Sequence, residues 1–404
     1  MFIGDVFSYS IYYYLGLAIS SPFWGIIIDK YGRKYPLIFS LALVSGLTYI
    51  FGNTFTYGYA IIIRFLLGLF NGISIIGKTI STEICPESFK ATSIALTRAS
   101  SGLGLSLGSF IGNYFLDNKN HYNSFTKSSI TITWFGIIMT ILVMIFFEET
   151  LNNPDVDTEL SDLNQGFQSL EDGENFGEAS TRSKTFEEMS QIGQLKSLFK
   201  IPNMIKLNIL FVINSMSVYF LMNLAQTWSG RRFGYGDIFS RILHSYAFSL
   251  LWIVQVLFYL CFQKFLGDFR LLKAGHFILI LLLIIFSGVQ WISYEISDDS
   301  MIFIIGAWTF IQNVVIFQTL SSIQRFSNDL VRSDKRGRIN GIQTVIESTL
   351  SLALMYSYGP FLNWLFNYQF LLVLLPLAMF WLATFVTYRL QFTSQEKKRL
   401  IGKA

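Results

Sequence analysis

The sequence predicts an all-α polytopic membrane protein with eleven transmembrane helices. Of its 404 residues, 52% are hydrophobic and only 14% are charged, and the mean hydropathy is +0.47. Soluble globular proteins carry about 25% charged residues. The apolar runs are long and lack the period-two alternation of a membrane β-barrel, so they predict helices. This composition excludes an ordinary soluble enzyme, a nucleic-acid-binding protein and a disordered scaffold.

Each predicted span is a run of roughly 20 mostly apolar residues, the length that crosses the hydrocarbon core of a bilayer. Inside these runs only three formal charges occur, at Arg64, Arg98 and Glu347. The runs cover residues 9–28, 36–56, 57–77, 92–116, 129–147, 207–226, 242–263, 274–294, 301–321, 340–363 and 368–388.

The distribution of Lys and Arg predicts the orientation, because cytoplasmic loops carry an excess of both. One set of connections holds 23 of the 30 basic residues, and the opposite set holds five. The richer set, together with the C-terminus, is therefore predicted to be cytoplasmic. It comprises residues 29–35, 78–91, 148–206, 264–273 and 322–339 and the tail from residue 389.

A long acidic segment divides the chain into two helical bundles. Residues 148–199 hold twelve of the 26 acidic residues against three basic ones, and such a stretch cannot bury enough apolar surface to order itself. We therefore expect an N-terminal bundle of five spans over 1–147, a disordered cytoplasmic linker over 148–204, a C-terminal bundle of six spans over 205–390, and a basic cytoplasmic tail over 391–404.

Two segments on either side of the linker are related at a constant offset of 248 residues. One begins at Pro86 and the other at Asp334, and Lys90 then corresponds to Arg338. Both run from a basic loop into a long span rich in Ser, Gly and Leu. One copy in each bundle is what two parallel transporter halves show.

The connection between the first two spans carries the strongest local motif. The positive-inside rule alone accounts for its three basic residues, but it does not account for two glycines and an aspartate at these spacings. A glycine permits close helix approach or a tight reversal, and the aspartate places a carboxylate at the membrane boundary. The motif residues are Gly25, Asp29, Lys30, Gly32, Arg33 and Lys34.

At these six positions the chain resembles the major facilitator superfamily, whose loop signature is G-x-x-x-D-[RK]-x-G-R-[RK]. The resemblance implies a two-bundle transporter in which this loop is a gate latch. It also implies that Asp29 contacts a helix of the other half when the transporter opens outward. Within the superfamily, the amino-acid sequence most resembles the plant-type zinc-induced facilitator and multidrug-like group. Zinc as a substrate is not supported, since residues 148–204 contain no histidine.

Two further glycine patterns resemble the family. Arg64, Gly68 and Gly72 match its R-x-x-x-G-x-x-x-G helix, which implies a coupling or substrate role for Arg64 and helix packing for the glycines. The alternative is plain glycine packing beside a snorkelling arginine. The series Gly104, Gly108 and Gly112 resembles an antiporter motif, but Ser109 replaces its proline and Asn113 its last glycine, so we assign these glycines to helix packing.

Arg98 and Glu347 occupy nearly equivalent positions in the two related segments. Each lies roughly 12–14 Å along its helix from the basic loop that precedes it. We expect both side chains to face a central cavity and to bind substrate or move a proton. The alternative is a set of structural ion bridges within each half.

Polar side chains inside other spans are candidates for lining the same cavity, although hydrogen bonds between helices are the commoner use of such residues. These candidates are Asn71, Asn214, Gln255, Gln312, Asn313 and Gln343. Two cysteines and three histidines offer little for a metal site, so we expect no metal, no cofactor and no enzymatic activity.

The resemblance also implies twelve spans, with the latch loop after the second. Here the loop follows the first predicted span, so we expect that the first family helix is missing from this sequence. We expect a monomeric secondary active transporter in a lipid bilayer, of the plasma membrane or an organelle, that moves a small organic solute and is coupled to protons. The alternatives are a non-transporting receptor or transceptor that retains the fold, and a passive uniporter.

Overall fold

The computed structural model describes residues 3–54, 56–86, 89–115, 121–150, 203–217, 267–292, 298–331, 335–367 and 369–389, together with Ile201 and Val254. Helices account for all the regular secondary structure in these ranges. We call α1 to α6 the N-terminal half and α7 to α11 the C-terminal half.

The N-terminal half consists of helices that follow one another through short turns. They are α1 (Ile3–Tyr31), α2 (Lys34–Gly52), α3 (Tyr57–Leu69), α4 (Ile73–Ile84), α5 (Lys90–Tyr114) and α6 (His121–Phe146).

The described helices of the C-terminal half are α7 (Met204–Ser217), α8 (Asp268–Ile292), α9 (Asp298–Asp329), α10 (Arg336–Asn367) and α11 (Gln369–Tyr388).

Six stretches in the described part of the chain are long and apolar enough to cross a membrane. Large apolar side chains point outward from them: Trp134 is 61% exposed, Phe146 75% and Phe303 77%. Exposure of such side chains to water would be unfavourable, whereas contact with lipid chains is favourable. The six stretches are Ser10–Tyr31, Lys34–Gly52, Tyr57–Ile84, Phe125–Phe146, Phe269–Phe286 and Phe303–Asp329.

A well-packed apolar core holds the C-terminal half together. The rings of Phe286 and Trp308 stack with their centroids 4.3 Å apart, and the indole N–H of Trp308 donates to the Leu282 carbonyl at 2.9 Å. Leu279 and Phe326 are almost fully buried in the same cluster. Helices α7, α8, α9 and α11 all contribute side chains to this core, and Ile346 of α10 packs against it.

The structure corrects the predicted boundaries around α3 and α4. The predicted span 57–77 is broken between α3 and α4, where the Ser40 hydroxyl donates to the Phe70 carbonyl and accepts from the Gly72 N–H. The loop predicted over 78–91 is wrong in its first part, because α4 continues to Ile84 and carries Lys78 with it. The spacing of its isoleucines already favours a longer helix.

The loop predicted over 322–339 is also too long. Helix α9 extends to Asp329 and α10 begins at Arg336, so Arg325 lies on a helix rather than in a basic loop. Apart from Val254, the second span of the C-terminal bundle at 242–263 lies outside the described residues, as do most of the linker and the tail 391–404. The number of eleven spans and the bundle limits therefore stay predictions.

Candidate functional site

The first and second helices are joined by a turn that the sequence specifies closely. Gly32 adopts a φ of +87°, a conformation that favours glycine, and α2 begins two residues later. The Glu149 carboxylate, just beyond α6, accepts hydrogen bonds from the backbone N–H of Arg33 at 2.8 Å and of Lys34 at 3.0 Å. Glu149 therefore caps the N-terminus of α2 and fixes the turn.

Arg33 connects this turn to α4. Its guanidinium, which is fully buried, donates to both carboxylate oxygens of Glu83 at 2.7 Å and 3.2 Å, and to the Ile28 carbonyl at 2.5 Å. The Thr150 hydroxyl donates to the same carboxylate at 2.9 Å. A planar, bidentate pair of this kind is both strong and orienting, so it holds the end of α1 against the end of α4.

Asp29 reaches from α1 to the other half of the protein. Its carboxylate accepts hydrogen bonds from the backbone N–H of Gly337 at 2.9 Å and of Arg338 at 3.0 Å, both in the first turn of α10. The free N–H groups and the partial positive charge of a helix N-terminus favour a carboxylate there. The guanidiniums of Arg33 and Arg338 lie within 3.6–3.8 Å of the same carboxylate.

Glycines allow α1 and α10 to approach this closely. A Cβ added to Gly25 would meet the Gly337 carbonyl, and one added to Gly341 would meet the Ser21 carbonyl. A Cβ on Gly337 would collide with Asp29 itself. The hydrogen bonds of Asp29 thus depend on a backbone-to-backbone crossing that only small residues permit.

Deeper along the same interface lies a group of charges that we call the Glu347 cluster: Lys78, Arg98, Gln324 and Glu347. The Glu347 carboxylate accepts from the Arg98 guanidinium at 2.7 Å and from the Lys78 ammonium at 3.1 Å. The Arg98 guanidinium also donates to the Gln324 carbonyl oxygen at 3.0 Å. Two helices of the N-terminal half, α4 and α5, are thereby bonded to α9 and α10.

Further polar contacts join the halves between Asp29 and the Glu347 cluster. The Asn340 side-chain amide donates to the Thr79 hydroxyl at 2.9 Å, and its carbonyl oxygen accepts from Gln324 at 2.9 Å. Near the end of α9, the Lys90 ammonium lies 3.8 Å from the Asp329 carboxylate. Hydrogen bonds and ion pairs between polar side chains therefore join the two halves along this interface.

Comparison with known proteins identifies the family. The sequence profile of the Major Facilitator Superfamily matches residues 2–356. The chain belongs to the major facilitator superfamily. Its fold agrees: the structure of the proton:xylose symporter XylE bound to 6-bromo-6-deoxy-D-glucose matches with a TM-score of 0.68 at 12% identity, covering 97% of this chain and 88% of that chain. The predicted all-α, major-facilitator-type fold is confirmed.

Two curated relatives from Arabidopsis thaliana are similar over most of the chain. A probable peptide/nitrate transporter is 24% identical over 360 residues, which is 86% of this chain and 71% of the relative. The protein named Zinc Induced Facilitator-Like 1 is 24% identical over 362 residues, again 86% and 71%. The predicted resemblance to the zinc-induced facilitator group is thus confirmed.

Within this family fold, the residues of the loop motif meet at one end of the helices. We call it the Asp29 end. Gly25, Asp29, Gly32 and Arg33 make the contacts given above, while Lys30 is exposed and lies over the Tyr31 ring at 5.3 Å. Lys34 contributes its backbone N–H to Glu149. The latch role of this loop stays a proposal.

The other predicted residues lie in different surroundings. The guanidinium of Arg64 stacks over the Phe51 ring at 4.2 Å, on α3 and within the N-terminal half. Gly68 packs on the backbone of α1 at Tyr13, and Gly72 packs on the Trp24 ring. In the described part of the chain, nothing lies within 4 Å of a Cβ built on Gly104, Gly108 or Gly112, so their packing role stays a prediction.

The predicted cavity-lining residues divide into two groups. Asn71 donates to the Tyr13 hydroxyl at 2.5 Å, and Asn214 contacts the His276 ring nitrogen at 3.1 Å, so both bond to neighbouring helices. The other described candidates are buried, and one or both of their side-chain amide atoms lack a hydrogen-bond partner in the described part of the chain. These are Gln312, Asn313 and Gln343; Gln255 lies outside the described residues.

Sequence reasoning missed several residues that make the interface. Lys78 was assigned to a cytoplasmic loop, yet it is 3% exposed on α4 and bonded to Glu347. The partners of Arg33, Glu83 and Glu149, are distant in sequence and belong to no local motif. The alternative of ion bridges within each half is wrong for Arg98 and Glu347, because their ion pair runs between the halves.

Proposed function

We propose that this protein moves a small organic solute across a membrane by alternating access, with the two halves rocking about their shared interface. The observation that carries the proposal is the hydrogen bonding of Asp29 to the first turn of α10. A carboxylate of one half that caps a helix of the other stabilises closure at the Asp29 end, and its release opens that end. By the distribution of basic residues, this end is cytoplasmic and the described conformation is closed to the cytoplasm.

The composition of the interface supports rocking rather than a fixed assembly. Asp29, the Glu347 cluster and the Asn340–Thr79 hydrogen bond all join the halves through polar groups. Water can replace such partners when the halves separate, whereas an apolar interface would resist opening. The C-terminus is proposed to be cytoplasmic and the protein to act as a monomer.

Coupling to protons is the second part of the proposal. Glu347 is a carboxylate within a predicted span, and its partners Lys78 and Arg98 belong to the other half. A proton on Glu347 would remove the charge that both cations contact, and would so weaken the interface. Arg64 is the other candidate for coupling. The similarity to a protein named as a proton:xylose symporter supports this reading.

The test is flux into proteoliposomes at two pH values, with a panel of organic cations, metal chelates, sugars and organic anions. We expect uptake of at least one class, driven by a proton gradient, in the wild type. Glu347→Gln is expected to abolish the dependence on the gradient, whereas Glu148→Gln, at an exposed position, retains it.

Each failure of this test has a distinct meaning. Unchanged flux and pH profile in Glu347→Gln would overturn the coupling role. Gradient-independent flux in the wild type would favour a passive uniporter. Binding of a solute without flux of any class would favour a receptor that retains the fold.

A further inference from the structure

We propose that Lys78 and Arg98 together bind an anionic group of the transported solute, which takes the place of the Glu347 carboxylate when the halves separate. The inference rests on the transport function proposed above and specifies the class of solute. That class is a carboxylate or another oxyanion attached to a small organic molecule.

The first observation is an imbalance of charge within the Glu347 cluster. The N-terminal half contributes two cations to the Glu347 cluster, and the C-terminal half contributes one carboxylate. The two cations converge on that carboxylate, one on each oxygen, at 3.1 Å and 2.7 Å. Lys78 and Arg98 thus already hold a carboxylate, and they hold it in the geometry of an oxyanion site.

The second observation concerns where the partners of the two cations lie. Among the described residues, the side-chain hydrogen bonds of Arg98 run to α9 and α10, and its guanidinium lies 5.7 Å from the centroid of the Phe211 ring on α7. The ammonium of Lys78 bonds to Glu347. All of these partners belong to the C-terminal half, so a rocking motion removes them from both cations at once.

Water can hydrate the two cations when the halves separate, but only an anion also offsets their charge in this buried part of the interface. Lys78 is 3% exposed and lies in a stretch long and apolar enough to cross a membrane, and Arg98 is 9% exposed and lies in a predicted span. A buried charge without a partner is strongly destabilising in a medium of low dielectric constant. A solute that brings its own carboxylate satisfies both cations in the open state, and thereby favours the transition that carries it.

The third observation is the presence of unused hydrogen-bonding groups beside the cluster. The Arg98 Nε is buried without a hydrogen-bond partner among the described residues, although its two terminal nitrogens are bonded. Gln343 lies one turn before Glu347 on the same face of α10, and both atoms of its buried amide are unpartnered in that part of the chain. These unpartnered hydrogen-bonding groups beside the carboxylate could bind the rest of a ligand that is larger than a carboxylate.

The same charges disfavour a cationic solute. With Glu347 withdrawn, an incoming ammonium group would meet two like charges of the N-terminal half. The selectivity expected is therefore anion over neutral analogue, and neutral analogue over cation.

A binding experiment tests the site without requiring transport. Glu347→Ala removes the resident carboxylate, and formate is the probe that replaces it. In the purified full chain, formate is expected to raise the melting temperature of Glu347→Ala, whereas formamide at equal ionic strength does not. The rise should be lost in Glu347→Ala/Arg98→Gln and retained in Glu347→Ala/Lys127→Gln, where an exposed cation of α6 is neutralised. Equal shifts in all variants, or no shift in any, would overturn the site.

A transport experiment tests selectivity and covers the case in which Glu347→Ala does not fold. Uptake of benzoate is compared with uptake of benzamide, its neutral analogue, in proteoliposomes. Lys78→Gln and Arg98→Gln are each expected to lower the benzoate-to-benzamide uptake ratio by about tenfold or more, the loss of one charge-assisted hydrogen bond. Lys90→Gln removes a different cation that joins the halves, so it should alter both uptakes alike.

The outcomes separate this inference from the function on which it rests. If the wild type carries neutral or cationic solutes but not benzoate, the anion site is wrong and the transport function stands. If no solute moves, the transport function fails, and the formate experiment decides the anion site by itself. A benzoate-to-benzamide ratio that is unchanged in Lys78→Gln and Arg98→Gln would also overturn the site.

Discussion

The Arg98 guanidinium of the N-terminal half donates a 2.7 Å hydrogen bond to the Glu347 carboxylate of the C-terminal half, across 249 positions in the sequence. The two residues occupy nearly equivalent positions in the related segments, Arg98 on α5 and Glu347 on α10. Because the two halves face each other at these helices, the two opposite charges form an ion pair between the halves. An ion pair between moving parts has a different consequence from a pair within one rigid unit: its strength sets how readily the parts separate.

The first prediction concerns the energetic coupling of this pair. Arg98→Gln and Glu347→Gln should each lower thermal stability in detergent, because each removes one side of a buried ion pair. The double variant should lose less than the sum, with a coupling of about 0.5–3 kcal/mol. A parallel cycle of Arg98→Gln with the exposed Lys127→Gln should be additive. Additivity in both cycles would show that the ion pair does not hold the halves.

The second prediction concerns the support of the turn that carries Asp29. Glu83→Gln replaces one oxygen of a buried bidentate pair with an amide and removes the charge opposite Arg33. We expect a loss of about 1.5–3 kcal/mol of stability, since the buried Arg33 then keeps only the Asp29 carboxylate, at 3.6 Å, as a counter-charge. Glu148→Gln, which changes an exposed acid near the same end, should stay within about 0.5 kcal/mol. Melting temperatures of the purified variants measure both.

The third prediction concerns the close crossing of α1 and α10. Gly25→Ala places a methyl group against the Gly337 carbonyl and should hold the two helices apart at the Asp29 end. Gly46→Ala is a matched control, since a Cβ there meets no described atom within 4 Å. We expect Gly25→Ala to increase the labelling of a cysteine at the inner face by a thiol-specific reagent, and Gly46→Ala to leave that labelling unchanged. Equal labelling in the two variants would exclude the crossing as a determinant of closure.

The fourth prediction concerns Gly32, whose φ of +87° is unfavourable for a residue with a Cβ. Gly32→Ala should destabilise the protein by about 1–2 kcal/mol from backbone strain, with a further loss because its methyl group would meet the Glu149 carboxylate. Gly58→Ala, where a Cβ meets no described atom within 4 Å, serves as the control. A Gly32→Ala protein as stable as the control would contradict the assigned role of the turn.

The sequence predicts the fold class well, because hydrophobic length and loop charge are direct consequences of the bilayer. The motif from Gly25 to Lys34 also points to the family, since six of its residues match the loop signature and the structure places them at a tight turn and a helix end. Arg98 and Glu347 are found from their positions in the sequence, because each is a charged residue inside an apolar span and such a charge requires a partner.

The pairing of these residues could not be predicted in the same way. Lys78 follows an apolar run directly, so a count of basic residues assigns it to a loop, although the isoleucine spacing of α4 favours a continued helix. Glu83 and Glu149 are distant from Arg33 in sequence, and only packing brings them to it. The choice of partner for each charged group is set by the interface between the halves, and no local sequence pattern encodes it.

The measurement that tests the central claim most directly is the distance between the two halves at the Asp29 end. Spin labels at Tyr35 on α2 and Tyr388 on α11, both highly exposed, would report it by double electron–electron resonance in a Cys85→Ser/Cys261→Ser background. We expect the wild type in lipid nanodiscs to favour a short distance. Asp29→Asn should shift the population to a longer one, because the charge that caps α10 is lost, and Glu148→Gln should match the wild type. Identical distance distributions in the wild type and Asp29→Asn would contradict the account.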